Sequence, residues 1–120
     1  MNRVLEVNKE LKFRFEILET YEAGIELLGY EVKSIKAKKF SIEKAYVRAK
    51  GGELWIVNMY VKAEGPWTKS ETRPRKLLLK KREIVRLSTK AKEKGLTILP
   101  AEVFVNSRGL IKIKIALAKA

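Results

Sequence analysis

The residues best suited to do chemistry in this sequence form one segment, residues 73–83, in which cationic side chains flank three consecutive leucines. We call these residues the basic segment. Its cations need water or a polyanion and its leucines need burial, so the segment should anchor a basic surface to a hydrophobic core. The chemistry that such a surface offers is the binding of phosphates. Residues 69–94 contain eleven Lys or Arg and three Glu, a net charge of +8 out of +13 for the whole chain.

Catalysis and metal binding are limited by the residue types that are missing. The 120 residues include no His, Cys, Asp or Gln. Nucleophilic triads usually require His, zinc sites require Cys or His, and magnesium-dependent nucleases cluster Asp and Glu. Two Glu could act as acid and base in a glycosidase arrangement, but Glu scattered among many Lys is more typical of solvated ion pairs. We therefore predict a protein that is not an enzyme and uses no cofactor or metal.

The excess of positive charge predicts a polyanionic partner. The chain carries 27 Lys and Arg against 14 Glu, and such a field attracts RNA, DNA or anionic lipid. The sequence contains neither a long basic amphipathic segment with lipid-facing aromatics nor a run near the roughly 18 apolar residues of a membrane span. We expect a nucleic-acid-binding protein without membrane association. Because no apolar secretory segment follows Met1, we also expect a cytoplasmic location.

Short periodic segments predict the elements that position these cations. Residues 12–17 alternate polar and apolar side chains and predict a strand, while Gly51-Gly52 between two β-rich runs predicts a hairpin over residues 45–57. Residues 20–29 predict a strand or the start of a helix, and residues 29–37 predict a short helix. Residues 62–74 predict a mobile loop that exposes Trp67. The leucines of the basic segment should enter a helix at 80–94 that ends at Gly95, and strands should follow at 96–100, 103–105 and 111–115.

The order of these elements favours a small antiparallel barrel. Pro100 cannot donate to a strand ladder, so it should lie at an edge or a bulge. Five or six short strands with two or three short helices, without a βαβ repeat, predict a mainly β, OB-like antiparallel barrel. A chain of 120 residues is large enough for one core. We therefore expect a single domain, residues 1–120, with a monomer as the default.

Each additional candidate residue also has an ordinary structural explanation. Lys33, Lys36 and their neighbours Lys38 and Lys39 could form a solvated helix face, and they become binding residues only if they lie near the basic segment. Glu22 is unusual in a cationic binder and on composition alone would be a surface ion pair. It would take part in binding if it accepted from a base or sugar, or oriented an arginine.

Aromatic residues could add base stacking to phosphate contacts. Tyr46, Trp55 and Phe104 lie at strand positions where bases stack in other barrels, but core packing is the more typical role for all three. Trp67, within the predicted loop, is the better stacking candidate.

Several segments resemble, in family order, those of SmpB, the bacterial SsrA-binding proteins, and they span nearly the whole chain. The segments are Asn8-Lys9, Tyr21-Glu22-Ala23-Gly24-Ile25, Gly29-Tyr30-Glu31-Val32-Lys33-Ser34-Ile35-Lys36-Ala37, Arg75-Lys76-Leu77-Leu78-Leu79, Arg82-Glu83-Ile84, Lys92-Glu93-Lys94-Gly95 and Leu117-Ala118-Lys119. The resemblance implies an OB-like barrel that binds the tRNA-like domain of transfer-messenger RNA (tmRNA, or SsrA RNA) at its elbow and enters stalled ribosomes with it. That process is trans-translation, or ribosome rescue, and elongation factor Tu delivers the alanyl-tmRNA.

The resemblance also points to particular residues. In the family, the Glu of the Glu-Ala-Gly turn and the leucine-rich basic segment are associated with RNA binding, which here implies Glu22, Leu78 and Lys80, the last at a position that varies. The full set of candidate RNA-binding residues is Glu22, Ala23, Gly24, Lys33, Lys36, Arg75, Lys76, Leu78, Lys80, Lys81 and Arg82. The alternative functions are a general or ribosomal RNA-binding barrel without tmRNA specificity, and a small hydrolase that uses a Glu pair.

The sequence departs from the family pattern at three places. Phe13 stands where the family usually has a basic residue, often His, and residues 62–74 are shorter than the corresponding loop. The family continues after Leu-Ala-Lys with Gly-Lys-Lys and a basic tail, whereas this sequence ends at Ala120. The resemblance implies that the tail enters the decoding region of the ribosome. The chain as given is therefore expected to bind tmRNA without supporting rescue.

Overall fold

The computed structural model describes residues 1–66 and 68–120, and within these ranges it contains nine strands and three helices. Trp67 lies outside the described residues, so its predicted exposure has no structural counterpart here. The elements in chain order are β1 Arg3–Val7, α1 Leu11–Arg14, β2 Glu16–Ile25, α2 Gly29–Lys36, β3 Phe40–Ser41, β4 Tyr46–Lys50, β5 Glu53–Val57, β6 Tyr60–Val61, β7 Arg75–Leu78, α3 Lys81–Lys90, β8 Leu96–Val105 and β9 Ile111–Lys119.

Six antiparallel strands close into a barrel in the order β8, β4, β5, β7, β2, β9, with β9 returning to β8. The two long pairings of β9, with β2 and with β8, extend along most of its length. β1 pairs with the second half of β8, and β3 and β6 form a separate two-stranded sheet. This topology confirms the predicted mainly β, OB-like antiparallel barrel.

The barrel interior is filled by aliphatic side chains from alternate positions of the strands. Ile113 and Ile115 of β9 are fully buried, whereas Lys114 between them is exposed, as the alternation predicts. Pro100 lies where the pairing of β8 with β9 shifts register, which confirms the predicted bulge. Leu87 of α3 is also fully buried and anchors that helix to the core.

The predicted strand at residues 12–17 is wrong in its first half. Residues 11–14 form α1, and β2 begins at Glu16. Leu11 is buried with Ala116 and Ala118 of β9, whose small side chains leave room for the helix. Packing across more than a hundred positions of sequence therefore decides this turn, and a local alternation of polar and apolar residues could not show it.

Most of the other local predictions are confirmed, with shifts at their ends. The hairpin turns at Gly51 and Gly52, whose φ angles of 61° and 77° suit glycine. The helix predicted at about 29–37 is α2, and residues 20–25 belong to strand β2. Residues 62–66 and 68–74 carry no helix or strand, and the mobility expected of this loop stays a prediction.

The basic segment folds differently from the prediction. Its leucines do not enter the helix, because Arg75–Leu78 is strand β7 and α3 begins at Lys81. The helix also ends at Lys90, earlier than predicted, and Gly95 takes a φ of 83° in the turn that follows. The change from strand to helix occurs at Leu79 and Lys80, directly after the exposed Leu78.

Candidate nucleic-acid interface

The outer surface of β7, β2 and β9 brings together residues that are distant in sequence. Gly24 of β2 lies opposite Leu78 of β7 on one side and opposite Lys112 of β9 on the other. Glu22 and Lys76 lie two residues from Gly24 and Leu78 along their own strands, and therefore on the same faces. We call the surface formed by Glu22, Gly24, Lys76, Leu78 and Lys112 the β2 face.

The Glu22-Ala23-Gly24 sequence matches the alternation that this position of the barrel requires. Ala23 points inward and is 0% exposed, so its side chain cannot contact RNA as predicted. Glu22 is exposed on the outside. A Cβ added to Gly24 would lie 3.2 Å from Leu78 Cβ, which is closer than side chains normally approach. Glycine therefore leaves room for Leu78, a leucine that is 49% exposed.

The start of α3 continues the β2 face with three exposed cations. Lys80, Lys81 and Arg82 follow Leu78 after a single intervening residue, and all three are exposed. The Lys80 backbone N–H donates to Glu83 Oε1 at 3.0 Å, which fixes the first turn of the helix. The three cations and the helix dipole give this end of α3 a positive potential that favours phosphate.

An ion pair that the sequence did not reveal holds α3 against β2. Arg86 Nε donates to Glu19 Oε1 at 2.9 Å, and Arg86 Nη2 also bonds to this carboxylate. Tyr21 Oη donates to Glu19 Oε1 at 2.5 Å. Hydrogen bonds from Arg86 and then Tyr21 lower the pKa of Glu19 to about 2. These three residues fix α3 against β2, and no periodicity connects side chains 67 positions apart.

Arg75 is a correction to the predicted binding set. Its side chain is 0% exposed. Its Nε donates to Glu31 Oε2 at 2.8 Å, its Nη1 to the Met59 carbonyl at 2.7 Å, and its Nη2 to the Glu71 carbonyl at 3.1 Å. Every guanidinium nitrogen is thus occupied inside the protein, so Arg75 organises the fold and does not reach RNA.

The lysines of α2 lie on a helix that begins beside the β2 face. Val32 lines the same groove as Gly24 and Leu78. Lys36 lies one turn beyond Val32 on the same side of α2, and Lys33 lies about 100° around the helix from Val32. Both lysines are exposed. Their contact with RNA stays a prediction.

The aromatic residues divide between core and surface. Phe104 is 4% exposed, which agrees with core packing. Tyr46 is 37% exposed, so its predicted core packing is wrong. Trp55 is partly buried, lies opposite Arg48 and Lys76 in the strand register, and donates its indole N–H to the Lys50 carbonyl at 3.1 Å. Strand position alone did not separate the inward from the outward aromatics.

In the part of the chain that the structure describes, no three acidic, His or Cys side chains lie close enough together to hold a metal ion. No helix among these residues is both long and apolar enough to cross a membrane.

Comparisons with known proteins agree on one family. The family model described as SmpB protein matches residues 5–120. The SsrA-binding protein of Persephonella marina is 47% identical over 120 residues, which cover 98% of this chain and 78% of that protein. The SsrA-binding protein of Thermosipho africanus is 44% identical, with 98% and 80% covered. That of Rhizobium johnstonii is 40% identical, with 99% and 81% covered.

One solved structure is similar over the same extent. A chain described as "tmRNA-SmpB: a journey to the center of the bacterial ribosome" superposes with a TM-score of 0.77 at 41% sequence identity. The superposition covers 96% of this chain and 82% of that chain. Sequence and fold therefore lead to the same relatives.

Proposed function

This chain belongs to the SmpB family, and from that membership we propose that it binds the tRNA-like domain of tmRNA and brings it to stalled ribosomes for trans-translation. The observation that carries the proposal at the level of residues is the meeting of Glu22, Gly24 and Leu78 on one outer face. These residues come from two of the segments by which the sequence resembles the family.

The β2 face acts by binding, and no bond is made or broken. Lys76, Lys80, Lys81 and Arg82 contact phosphates, and Leu78 packs against an exposed base or ribose. Glu22 accepts from an N–H or hydroxyl group, which a purely electrostatic surface would not require. Structured RNA exposes unstacked bases where loops interact, so the elbow of a tRNA-like domain offers both a shape and base edges to such a face.

The wider role follows from the same family. The protein is an RNA-binding factor and not an enzyme, and it acts with the ribosome in the cytoplasm. Elongation factor Tu is the further partner, because it carries the alanyl-tmRNA to which the chain is bound. The chain works as a monomeric barrel of one domain, residues 1–120.

The test is equilibrium binding to the tmRNA tRNA-like domain and to an ordinary tRNA of matched length, each across a salt series. A preference of about tenfold or more for the tmRNA domain, roughly 1.4 kcal/mol, that persists near physiological salt supports specific recognition. Equal affinities that fall together as salt rises would instead indicate a general RNA-binding barrel, the alternative that a net charge of +13 also favours.

A further inference from the structure

The barrel has a weak seam between β4 and β8, on the side away from the β2 face. In the closed order of the six strands, β4 is three places from β2 in either direction. Within residues 1–66 and 68–120, β4 and β8 are joined at a single residue pair, Val47 with Ile98. Val47 is 6% exposed, whereas Ala49, two residues further on the same face of β4, is exposed. The two strands therefore diverge from Val47 towards the β4–β5 hairpin.

A groove of about 270 Å³ occupies the gap between these strands. We call it the β4–β8 groove. Its lining consists of residues 46–49 of β4, residues 96–98 of β8, and Ser88, Ala91 and Lys92 at the end of α3. Pockets for drug-sized ligands occupy about 300–1,000 Å³, so this groove is smaller than a typical site for such a molecule. A narrow gap between two diverging strands suits a short stretch of extended chain instead.

The groove exposes backbone groups of β4 that have no partner strand. Both glycines of the β4–β5 hairpin have positive φ, as a two-residue type I′ turn requires. Lys50 and Glu53, which flank such a turn, exchange hydrogen bonds, so the backbone of the next residue, Ala49, faces β8. Ala49 has no partner on β8 in the strand register. Its N–H and C=O form an open strand edge, with which another extended backbone can pair.

The rim of the groove is cationic. Arg48 and Lys92 line it and are exposed, and neither takes part in the ion pairs formed among the described residues. The lining contains no Glu. Both cations would also attract RNA, but a phosphate can only accept hydrogen bonds and leaves the Ala49 carbonyl without a donor. An acidic peptide supplies carboxylates for the rim and both a donor and an acceptor for the strand edge.

We propose that the β4–β8 groove binds an extended acidic segment of a protein partner. The segment pairs with the backbone of Ala49, an apolar side chain packs between Tyr46 and Leu96, and flanking carboxylates contact Arg48 and Lys92. The inference goes beyond the proposed function, which places RNA on the β2 face. Because the groove lies on the other side of the barrel, the chain can hold the partner and the RNA at the same time.

The test uses a short fluorescein-labelled peptide in which Glu alternates with Val, titrated with the unchanged chain near physiological salt. Fluorescence anisotropy should show saturable binding that persists when the tmRNA tRNA-like domain is bound. Two versions of the peptide, methylated at alternate backbone nitrogens in opposite phase, keep the same carboxylates. The version whose methyl groups face Ala49 should bind about tenfold more weakly than the other, because it cannot donate to the strand edge.

A matched pair of charge reversals tests the rim. Lys92→Glu should weaken binding of the peptide about tenfold. Lys44→Glu makes the same change at an exposed residue of a separate surface pocket, which it shares with Ser41 and Tyr60, and should weaken binding less than about twofold. Thermal unfolding verifies that both variants are folded. The methylated peptides test the unchanged chain and give a result even if a variant is unstable.

Three results would overturn the inference. Equal binding of the two methylated peptides would mean that no backbone pairing occurs. An equal loss in Lys44→Glu and Lys92→Glu would mean that net charge alone attracts the peptide. If a short oligouridylate displaced the peptide and itself lost affinity in Lys92→Glu but not in Lys44→Glu, the groove would bind RNA phosphates. None of these results depends on a preference for tmRNA over tRNA, so the proposed function stands or fails separately.

Discussion

Glu31 of α2 and Arg75 of β7 form a completely buried ion pair, with 2.7 Å between Glu31 Oε2 and Arg75 Nη2. Arg73 joins them, with its Nη2 2.5 Å from Glu31 Oε1. The Leu28 N–H donates to the same carboxylate at 2.8 Å. Burying charge is costly unless the hydrogen bonds are complete, and here they are. The cluster joins α2, the segment before β7 and the barrel wall, and so fixes where β7 presents Leu78.

Removing Arg75 should destabilise the protein more than removing its neighbour. Arg75→Ala removes one of the two guanidinium partners of the buried Glu31 carboxylate and the donor to the Met59 and Glu71 carbonyls, and we expect the free energy of unfolding to fall by about 3 kcal/mol. Lys76→Ala on the outer face breaks only an exposed pair with Glu53 and should cost less than about 1 kcal/mol. Chemical denaturation followed by circular dichroism measures both. Equal losses for the two variants would contradict this assignment.

The stability of the fold should decrease in acid. Burial raises the pKa of Glu31, but hydrogen bonds from Arg73, the Leu28 N–H and Arg75 outweigh it, so the pKa lies below 4.5. Hydrogen bonds from Arg86 and Tyr21 lower the pKa of Glu19 to about 2. A carboxyl whose pKa is lower in the folded state contributes stability that is present above its unfolded pKa and lost as the pH falls through its folded pKa.

We therefore expect the free energy of unfolding to decline from about pH 4.5 toward pH 2. Glu19→Gln should make this decline shallower, since the substituted side chain cannot titrate. Denaturation curves recorded through and above this range measure the slope. An unchanged slope in Glu19→Gln would show that the bond to Arg86 does not depress the pKa of Glu19.

Gly24 should matter for both binding and folding. An added Cβ would lie 3.2 Å from Leu78 Cβ. Leu78 Cβ moves only with its backbone, so β7 must shift slightly away from β2, and Gly24→Ala should lower the free energy of unfolding by about 1 kcal/mol. The same shift misplaces a leucine of the β2 face and should weaken tmRNA binding about tenfold. Gly29→Ala is the matched control, because a Cβ there meets no atom within 4 Å.

Local sequence predicted the elements whose cause is local. The helical spacing of apolar residues predicted α2, and the Gly51-Gly52 pair predicted the hairpin. The alternation of Ile and Lys along β9 predicted that its isoleucines are buried. The turn at α1 could not be predicted, because it depends on Leu11 packing against alanines more than a hundred residues away. The strand β7 could not be predicted from the leucines of the basic segment either, because it forms by pairing with β5 and β2, which are distant in sequence.

The candidate site was predictable by residue type and only partly by position. The cations of the basic segment looked equivalent in sequence, yet Arg75 is buried and Lys76 lies outside, because strand alternation separates neighbours. The ion pair between Arg86 and Glu19 could not be predicted from the sequence, because it forms only when α3 packs on the end of the barrel. Lys112 was identified as part of the β2 face only from the strand register, which places it opposite Gly24.

The cations at the start of α3 should contribute to affinity through salt-dependent contacts. Lys81→Ala removes one phosphate contact and should reduce the slope of log affinity against log salt by about 1. The loss should be similar for tmRNA and for tRNA, because phosphates carry no sequence information. Lys44→Ala removes the same charge from an exposed residue whose surface pocket, shared with Ser41 and Tyr60, contains no residue of the β2 face, and it is the control. A slope that is equally reduced by Lys44→Ala would mean that net charge alone matters.

Glu22 gives the sharpest distinction between specific and general RNA binding. If the barrel bound RNA by charge alone, Glu22→Ala would remove a repulsive carboxylate and raise affinity for every RNA. If Glu22 accepts from a donor on the tmRNA elbow, the variant should bind the tRNA-like domain about tenfold more weakly while its affinity for tRNA stays equal or rises. Glu22→Gln keeps the size and one acceptor oxygen, so it should retain part of the lost affinity. Titration of both variants with both RNAs checks this, and tighter binding of tmRNA by Glu22→Ala would exclude Glu22 from recognition.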